Sequence, residues 1–260
     1  MDTRMLAALG DRLYDAWRTR QPVTQLTEAH PDMTLDDAYA VQQRMIARRR
    51  EAGLKVVGRK IGLTSQVVQK MLGVDQPDFG VLLSDMVFGD GDALPTPSLI
   101  APKVEGEIAF VLKHGLQGPG VTTADVLRAT DFVMPCFEIV DSRIRDWKIR
   151  IQDTVADNAS AGLFVLGGKA VDPRDVDLSL CGMVLEKNGE IVATGAGAAA
   201  LGSPVNAVAW LANRLGQLGI ALEAGEVILS GSLAAMLPAQ AGDSFRCTLG
   251  GIGSVATRFA

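Results

Sequence analysis

Apolar residues recur at four-residue spacing near the start of the chain and predict helices there. One such stripe consists of Met5, Leu9, Leu13 and Trp17. Farther along, Thr34 and Asp37 have the spacing of a capping box, which predicts a second amphipathic helix that stops near Gly53. The basic run at 48–50 lies at the end of this helix, where we expect it to face solvent and complement the helix dipole. Residues 1–55 are therefore predicted to form a helical segment.

From Val56 onward, short apolar runs separated by turn residues predict strands. The clearest local signals are Asn188-Gly189 for a hairpin, Ser203-Pro204 for a helix start, and Thr64 or Ser65 to Gly73 for a short helix. Together these patterns predict an α+β protein, in which an N-terminal helical layer covers a β-rich core of residues 56–260. No low-complexity linker divides the chain, so we expect one continuous structural unit.

The stretch from Ala101 to Leu112 is predicted to be a buried strand, yet it contains two acids. Alternate side chains of a strand share a face, so Glu105 and Glu107 point the same way. The rest of the stretch is apolar on both faces, and two neighbouring carboxylates there would repel each other and lose hydration. A bound divalent cation resolves this conflict. The alternative is that both acids lie just outside the buried part and are solvated.

A third acid stands in a second apolar run. Glu138 is the one acid well inside residues 131–140, so it needs either a proton or a partner. With Glu105 and Glu107 it would complete a three-carboxylate site that keeps open positions for water and substrate. Such a site suits Mg²⁺ or Mn²⁺. Zinc is disfavoured because the His and Cys residues form no cluster in the sequence.

Lys60 and Asp78 stand in stretches with two interpretations each. Lys60 alternates with Gly58 and Gly62 on one face of a predicted strand, and the two glycines leave the space that a ligand pocket needs. A solvated edge strand explains the same pattern slightly better. Asp78 lies in a turn-rich loop, 75–80, where most acids are only turn residues.

Two serine-containing stretches are candidates for a binding site. Ser230 directly follows the apolar strand predicted at 227–229, where hydroxyls and exposed backbone N–H groups would form an anion cradle. Ser160 ends a small, polar stretch at 157–160 that precedes another apolar strand. Such stretches often line pockets, but they also form ordinary turns.

Composition narrows the class of protein. The chain has 260 residues, 48% of them hydrophobic, and a net charge of −5, which is typical of a globular protein and argues against a nucleic-acid binder. No apolar run reaches the length of a transmembrane helix and the start lacks the pattern of a signal peptide, so we expect neither membrane insertion nor secretion. Three cysteines are expected to be buried, reduced thiols of a cytoplasmic protein: Cys136, Cys181 and Cys247.

Five motifs, in this order, carry a family resemblance. They are Gly58-Arg-Lys-Ile-Gly-Leu-Thr-Ser65, Gln76-Pro-Asp-Phe-Gly80, Glu105-Gly-Glu107, Phe137-Glu-Ile-Val-Asp-Ser-Arg143 and Asp153-Thr-Val-Ala-Asp-Asn-Ala-Ser160. Together they resemble the hydratase/decarboxylase branch of the fumarylacetoacetate hydrolase superfamily, and the likeness spans nearly the whole chain. The resemblance implies a mixed β-roll core of that superfamily's C-terminal type. It also implies a divalent metal held by three acids, which map onto Glu105, Glu107 and Glu138.

The resemblance implies a reaction as well. Within this branch the motifs are most similar to those of hydratases that add water to 2-hydroxypenta-2,4-dienoate in aromatic meta-cleavage pathways. Lys60, with a pKa lowered by burial and the nearby cation, and Asp78 would stand at the reacting centre. Ser160 and Ser230 would hold the carboxylate of this small-molecule substrate. The resemblance further implies a homo-oligomer and a complex with 4-oxalocrotonate decarboxylase.

Three alternatives stay open. 4-Oxalocrotonate decarboxylases share the metal strand and the Ala-Asp-Asn-Ala-Ser segment but typically lack the aspartate, so Asp78 favours a hydratase. A hydratase of a longer dicarboxylic dienoate would need a cation for the distal carboxylate, which Arg59, Arg143 or Arg145 would supply. A non-catalytic partner subunit of the decarboxylase is disfavoured, because Lys60, Asp78 and all three acids are retained.

Overall fold

The computed structural model describes residues 1–65, 69–70 and 74–260. Its helices are α1 (Thr3–Thr19), α2 (Leu26–Ala29), α3 (Leu35–Glu51), α4 (Thr123–Ala129), α5 (Ile151–Ala156) and α6 (Pro204–Gln217). Its strands are β1 (Val56–Gly62), β2 (Asp78–Leu83), β3 (Val87–Gly89), β4 (Ala93–Leu94), β5 (Pro102–Leu112), β6 (Thr130–Asp141), β7 (Ala161–Leu166), β8 (Gly182–Lys187), β9 (Glu190–Ala196), β10 (Val227–Leu229), β11 (Leu237–Pro238), β12 (Ser244–Leu249) and β13 (Gly253–Phe259). The helix predicted from Thr64 or Ser65 to Gly73 runs through positions outside the described residues.

Strands of the described ranges form two sheets. Eight strands have the order β2-β1-β10-β5-β6-β7-β3, with β11 paired to β5, and five have the order β4-β13-β12-β8-β9. Most pairs are antiparallel, but β1 with β10, β3 with β7 and β4 with β13 are parallel. The sheets pack on each other where Phe137 meets Phe245 edge to face, with 6.5 Å between the ring centroids. The predicted α+β class with a mixed β-roll core is confirmed.

Local signals predicted several element boundaries correctly. α3 begins at Leu35 because the Thr34 hydroxyl accepts from the Asp37 N–H at 3.1 Å while the Asp37 carboxylate accepts from the Thr34 N–H at 3.0 Å. The β8–β9 hairpin turns through Asn188 and Gly189, which both have positive φ, as a type I′ turn requires. The predicted capping box and hairpin are confirmed.

The N-terminal helices form a layer in which α1 packs against α3. Leu9 and Leu13 are buried, whereas Met5, from the same predicted stripe, is 41% exposed. Gly10 allows the two helices to approach closely, since a Cβ there would lie 2.6 Å from the Cβ of Arg44. The other side of α3 reaches α5, which borders the candidate site. The helical layer therefore contacts an element that borders the candidate site.

Arg49 contradicts the prediction that residues 48–50 face solvent. Its side chain is 2% exposed, pairs with Asp85 at 2.8 Å and lies 4.1 Å from the centroid of the Trp17 ring. The last turn of α3 packs onto α1 and onto the turn between β2 and β3, so Asp85 and Trp17 replace water around the guanidinium. Burial lowers the pKa of Arg49 to about 10, although Asp85 opposes the shift.

The three cysteines have the predicted environment. Each is a buried free thiol: Cys136, Cys181 and Cys247. Burial raises the pKa of all three, which keeps them protonated and unreactive at neutral pH. Of the helices in the described ranges, none combines the length and the apolar character that crossing a membrane requires.

Candidate active site

The register of β5 and β6 brings the three predicted acids together. Glu105 pairs directly with Glu138 across the two strands, and Glu107 follows two residues later on the same face of β5. Carboxylate oxygens of all three lie within 4.8 Å of one another. Glu107 and Glu138 are buried, whereas Glu105 borders a cavity. The alternative that the acids of β5 are both solvated is therefore wrong for Glu107.

Only some of the carboxylate oxygens of these acids accept hydrogen bonds from the described residues. Glu107 Oε2 accepts from the Gly231 N–H at 2.8 Å, but among the described residues Glu107 Oε1 and both Glu138 oxygens have no hydrogen-bond partner. Lys60 Nζ lies 3.1 Å from Glu138 Oε1, as an ion pair without hydrogen-bond geometry. Burial raises the pKa of all three acids. The pKa of Glu138 reaches about 7, although the charge of Lys60 opposes the shift.

This arrangement fits a hard divalent cation. The donors are carboxylate oxygens alone, which such ions prefer. Three of these oxygens are buried without a hydrogen-bond partner in the part of the chain that the structure describes, and only one of the three, Glu138 Oε1, is paired with Lys60. An uncompensated buried charge costs several kcal/mol, and a cation among the acids would remove that cost. The structure therefore contains a candidate acidic metal site. The individual roles of Glu105, Glu107 and Glu138 as ligands stay a prediction.

Lys60 and Asp78 lie on strands next to the acids. β1 runs between β2 and β10, so the strand that carries Lys60 is internal and the predicted solvated edge is wrong. The register of β1 with β2 places Gly62 opposite Asp78 and Lys60 opposite Gly80. Lys60 is 3% exposed and Asp78 is 2% exposed. Asp78 is the first residue of β2 and not a member of a solvated turn.

The carboxylates around Lys60 determine its pKa. Burial favours the neutral amine, but the charges of Glu138, Asp78, Glu105 and Glu107 together raise the pKa of Lys60 above its ordinary value. The sequence-based prediction of a lowered pKa for Lys60 included the charge of a nearby cation. Without a cation, the surrounding carboxylates instead favour the protonated form of Lys60. Burial raises the pKa of Asp78, and the charge of Lys60 opposes that shift.

A cavity of about 830 Å³ opens onto these groups. Lys60, Asp78, Glu105 and Ser160 all contribute to its lining. Much of the remaining wall is apolar and includes Ile61, Val140, Trp147, Ile149, Ile151 and Met236. A few convergent polar groups in an apolar wall are the usual form of a small-molecule site.

The two candidate serines have different surroundings. Ser160 lines the cavity. Ser230 is fully buried, and its hydroxyl donates to the Ile108 carbonyl at 2.8 Å. Of the backbone N–H groups that were predicted to form an anion cradle after β10, that of Gly231 donates to the carboxylate of Glu107. The substrate-binding role of both serines stays a prediction.

Residues 158–160 form a left-handed turn that sequence reasoning did not find. Asn158, Ala159 and Ser160 have φ angles of 56°, 49° and 55°. Non-glycine residues in this region cost about 1–2 kcal/mol each, so the turn needs compensating contacts. Asn158 makes two of them, because its Oδ1 accepts from the Val81 N–H at 2.8 Å and its Nδ2 donates to the Val81 carbonyl at 2.9 Å. The available signal was an Asn, a residue type that tolerates positive φ.

Lys103 and Trp147 also border the cavity and were not identified from the sequence. Trp147 Nε1 donates to the Ala101 carbonyl at 2.9 Å, and Lys103 Nζ lies 4.1 Å from the centroid of the Trp147 ring. Lys103 stands two residues before Glu105, on the same face of β5. A cation–π contact therefore connects the acidic strand to the segment that follows β6.

The three arginines considered for a distal carboxylate lie elsewhere. Arg59 and Arg143 form ion pairs with other acids, and Arg145 is exposed. Within residues 1–65, 69–70 and 74–260, none of the three lines the cavity, whereas Lys103 and Arg150 do.

Comparison with known protein families agrees with this fold. Residues 54–260 match the family model described as fumarylacetoacetate hydrolase, C-terminal. The chain belongs to the fumarylacetoacetate hydrolase family. The region of this family member that matches begins just before β1 and contains all the candidate site residues described above.

Curated relatives of this fumarylacetoacetate hydrolase family member are similar over most of its length. It is 62% identical over 222 residues to 2-hydroxypent-2,4-dienoate hydratase of Pseudomonas putida. The match covers 85% of this chain and 100% of that hydratase. It is 53% identical over 260 residues to 2-hydroxyhexa-2,4-dienoate hydratase of Comamonas testosteroni, with 99% and 98% covered.

A solved structure is similar over the whole chain. 4-Oxalocrotonate decarboxylase from Pseudomonas putida G7, complexed with magnesium and adipate, has a TM-score of 0.97 at 39% identity. The match covers 100% of this chain and 99% of the decarboxylase. This family member is thus similar both to two hydratases and to a decarboxylase. The choice between the two reactions depends on the site.

Proposed function

We propose that this protein is a divalent-metal-dependent hydratase that adds water to 2-hydroxypenta-2,4-dienoate and forms 4-hydroxy-2-oxopentanoate. The observation that carries the proposal is that Lys60, Asp78 and Glu105 line one cavity, and that Glu105 clusters with the buried acids Glu107 and Glu138. The names of two similar proteins support it, since both are hydratases of short 2-hydroxydienoates. Such a reaction belongs to the meta-cleavage catabolism of aromatic compounds.

Glu105, Glu107 and Glu138 are proposed to hold Mg²⁺ or Mn²⁺ through their carboxylate oxygens. When bound, the cation would stabilise negative charge that develops on the 2-oxygen and carboxylate of the substrate. The similar decarboxylase was solved with magnesium and, in a second structure, with calcium, which supports a hard divalent ion here. Three carboxylates would leave other positions of the ion open to water and substrate, and an ion that keeps such positions would be Mg²⁺ or Mn²⁺.

Lys60 is proposed to carry the proton of a tautomerisation that precedes hydration. The dienol is electron-rich, so it must become an α,β-unsaturated 2-oxo acid before water can add to it. This change moves a proton between the enol oxygen and the carbon terminus. Lys60 is suited to that task because it is buried, borders the cavity and lies 3.1 Å from Glu138.

Asp78 is proposed to orient and deprotonate the attacking water. Its burial raises the pKa, which brings the carboxylate closer to the range in which a general base works well. Ser160 is proposed to hold the substrate carboxylate from the cavity wall. Ser230 is the weaker of the two serine candidates, because its hydroxyl already donates to the Ile108 carbonyl.

Decarboxylation of 4-oxalocrotonate is the second candidate, because the structure of that decarboxylase matches the whole chain with a TM-score of 0.97. Decarboxylation would use the same stabilisation of an enolate but would add no water. Asp78 would then have no water to activate. A buried aspartate at the cavity therefore favours hydration over decarboxylation.

We also propose an assembly and a location for the protein. Residues 1–55 would be a helical segment that covers a catalytic core of residues 56–260 within one structural unit. The protein would form a homo-oligomer that is able to associate with 4-oxalocrotonate decarboxylase. A cytoplasmic location agrees with the three buried free thiols, because reducing compartments keep thiols unpaired.

The experiment is incubation of the purified protein with fresh 2-hydroxypenta-2,4-dienoate, with EDTA or with Mg²⁺ or Mn²⁺. We expect metal-dependent loss of the dienol absorbance and formation of 4-hydroxy-2-oxopentanoate. Release of carbon dioxide from 4-oxalocrotonate is measured in parallel. Decarboxylation without hydration would overturn the proposal in favour of the second candidate.

A further inference from the structure

Two side-chain amides cover the outer side of β2, which is the end strand of the eight-stranded sheet in the described ranges. Gln42 Nε2 donates to the Phe79 carbonyl at 3.0 Å. Asn158 Oδ1 accepts from the Val81 N–H at 2.8 Å, and Asn158 Nδ2 donates to the Val81 carbonyl at 2.9 Å. Since alternate residues of a strand direct their backbone groups to the same side, the two amides together replace a neighbouring strand.

Both amides are buried, and both also reach the segment that precedes Ser160. Gln42 is 2% exposed and donates to the Val155 carbonyl at 3.0 Å, near the end of α5. Asn158 is 0% exposed and begins the left-handed turn. Gly80 permits the close approach, because a Cβ there would lie 2.5 Å from the carbonyl oxygen of Asn158. β2 and the turn are therefore held together directly.

These contacts join two groups that line the cavity. β2 begins with Asp78, three residues before Val81, and Ser160 follows Asn158 by two residues. Asp78 and Ser160 both line the cavity, whereas Asn158 is not among its described lining residues. The hydrogen bonds at Val81 therefore connect the strand that carries Asp78 to the turn that carries Ser160.

We infer that Asn158, supported by Gln42, is a positioning residue for the proposed hydration. It fixes the separation between the carboxylate of Asp78, which would activate water, and the hydroxyl of Ser160, which would hold the substrate. This inference rests on the proposed function. The positions of the Asp78 carboxylate and the Ser160 hydroxyl would affect the rate, because a displacement of about 1 Å at a reacting centre lowers the rate on the order of a hundredfold.

The competing explanation is that Asn158 only permits a positive φ. Ala159 and Ser160 adopt the same conformation although their side chains do not favour it, so contacts rather than residue type hold the turn. Glycine at position 158 separates the two explanations, because it accepts a φ of 56° without strain but has no amide.

The test compares Asn158→Gly with the wild-type protein and with Asn188→Gly. Asn188 has a φ of 54°, and its amide also connects two segments, through the Ser244 N–H at 2.8 Å and Asp243 at 2.9 Å. It lies in the β8–β9 hairpin and does not line the described part of the cavity. The measurements are kcat and KM for hydration, Mg²⁺ affinity by calorimetry, and hydrogen exchange of the Val81 N–H.

We expect Asn158→Gly to lower kcat about tenfold to a hundredfold, with smaller changes in KM and in Mg²⁺ affinity. Asn188→Gly should leave all three near the wild-type values. The Val81 N–H should exchange faster in Asn158→Gly but not in Asn188→Gly, because only the former loses its acceptor. Gln42→Met removes the bonds to the Phe79 and Val155 carbonyls and keeps the Asn158 amide. It should lower kcat in the same manner, and it replaces Asn158→Gly where that variant does not fold.

A wild-type kcat in Asn158→Gly would overturn the inference, and so would unchanged exchange of the Val81 N–H. A loss of activity in Asn188→Gly as large as in Asn158→Gly would also overturn it, since the effect would then be general. If the wild-type protein hydrates no dienoate, the proposed function fails. Exchange at Val81 then decides separately whether Asn158 holds β2.

Discussion

The two carboxylate oxygens of Glu107 have different surroundings. Oε2 accepts from the Gly231 N–H, whereas Oε1 has no hydrogen-bond partner among the described residues. We expect Glu107→Gln to abolish Mg²⁺ binding and activity while the protein stays folded, because a neutral amide is a poor ligand for a hard cation. Calorimetric titration measures this, with Glu190→Gln, an exposed acid of β9, as the control. Unchanged affinity in this variant and in Glu105→Gln and Glu138→Gln would refute the site.

As a proposed metal ligand, Glu138 would make metal binding depend on pH. Burial raises its pKa from 4.5 to about 7, so the folded protein keeps a proton that the unfolded chain releases in this interval. The raised pKa of Glu138 therefore adds to the free energy of unfolding of the metal-free protein. This stabilisation is fully present below about pH 4.5 and is lost as the pH rises through about 7. A ligand must be ionised, so Mg²⁺ affinity should increase over the same interval.

Calorimetry at several pH values and thermal unfolding in EDTA measure these two trends for Glu138. Glu138→Gln is the matched variant, because it has no proton to release in this interval. A Mg²⁺ affinity of the wild-type protein that stays constant or falls between about pH 5 and pH 8 would contradict the expectation.

The proposed role of Asp78 would separate hydration from the tautomerisation proposed to precede it. Asp78→Asn should reduce hydration about a hundredfold or more, because the amide keeps the shape of the carboxylate but is a much poorer base. Mg²⁺ binding should remain, and proton exchange at the substrate's carbon terminus, followed in deuterated water, should survive better than hydration. Equal loss of both steps would assign Asp78 to tautomerisation or binding. Loss of neither would remove the main argument for a hydratase.

The candidate site residues differ in how far the sequence alone could identify them as candidates. Glu105, Glu107 and Glu138 were identified because a charge inside an apolar strand is a contradiction visible within a few residues. Lys60 and Asp78 were not, because their burial depends on strands and turns that are distant in sequence. For these two residues the family resemblance provided what local patterns lacked.

The turn after β10 places three requirements on one glycine. Gly231 has a φ of 104°, donates to Glu107, and has no room for a side chain, since a Cβ would lie 2.3 Å from Thr64 Oγ1. We expect Gly231→Ala to weaken Mg²⁺ binding about tenfold or more, as loss of a hydrogen bond to a metal ligand does. Gly219→Ala is the matched control, because Gly219 has a φ of 72° but no described atom within 4 Å of its Cβ position. Equal losses in both variants would assign the effect to backbone strain.

Elements that depend on adjacent residues were predictable, and those that depend on distant partners were not. The capping box at Thr34 and the hairpin at Asn188 are both encoded within four residues. The burial of Arg49 requires Asp85 and Trp17, which come from two other elements. The left-handed turn likewise has a distant partner, because the Asn158 amide is hydrogen-bonded to Val81 of β2.

Exposed apolar side chains on the smaller sheet bear on assembly. β9 is the end strand of the five-stranded sheet as described, and its Ile191 and Val192 are 66% and 42% exposed. Leu180, which precedes β8, is 78% exposed. These side chains would be expected to gain from contact with a second copy. We therefore expect light scattering in dilute buffer to give a multiple of 27.5 kDa, and a clean monomer at working concentration would refute a homo-oligomer.

The class of the whole molecule was predictable from the change of pattern near Val56, but the order of its strands was not. Helical periodicity ends before this residue and strand-like runs follow it, which is sufficient for an α+β assignment. The position of β10 between β1 and β5 follows from a parallel pairing of distant segments, for which no local signal exists.

The position of β10 also affects how the chain folds while it is being made. Lys60 in β1 pairs with Leu229 in β10, and at about 5–20 residues per second a ribosome needs roughly 10–30 s to extend the chain from one to the other. Until β10 is made, β1 lacks this neighbour, and so does β5 from the time of its own synthesis, so both present unpaired backbone groups. Chains released before Val227 would keep these two open strand edges. Such chains should appear in aggregates or bound to chaperones, and none should have partial activity.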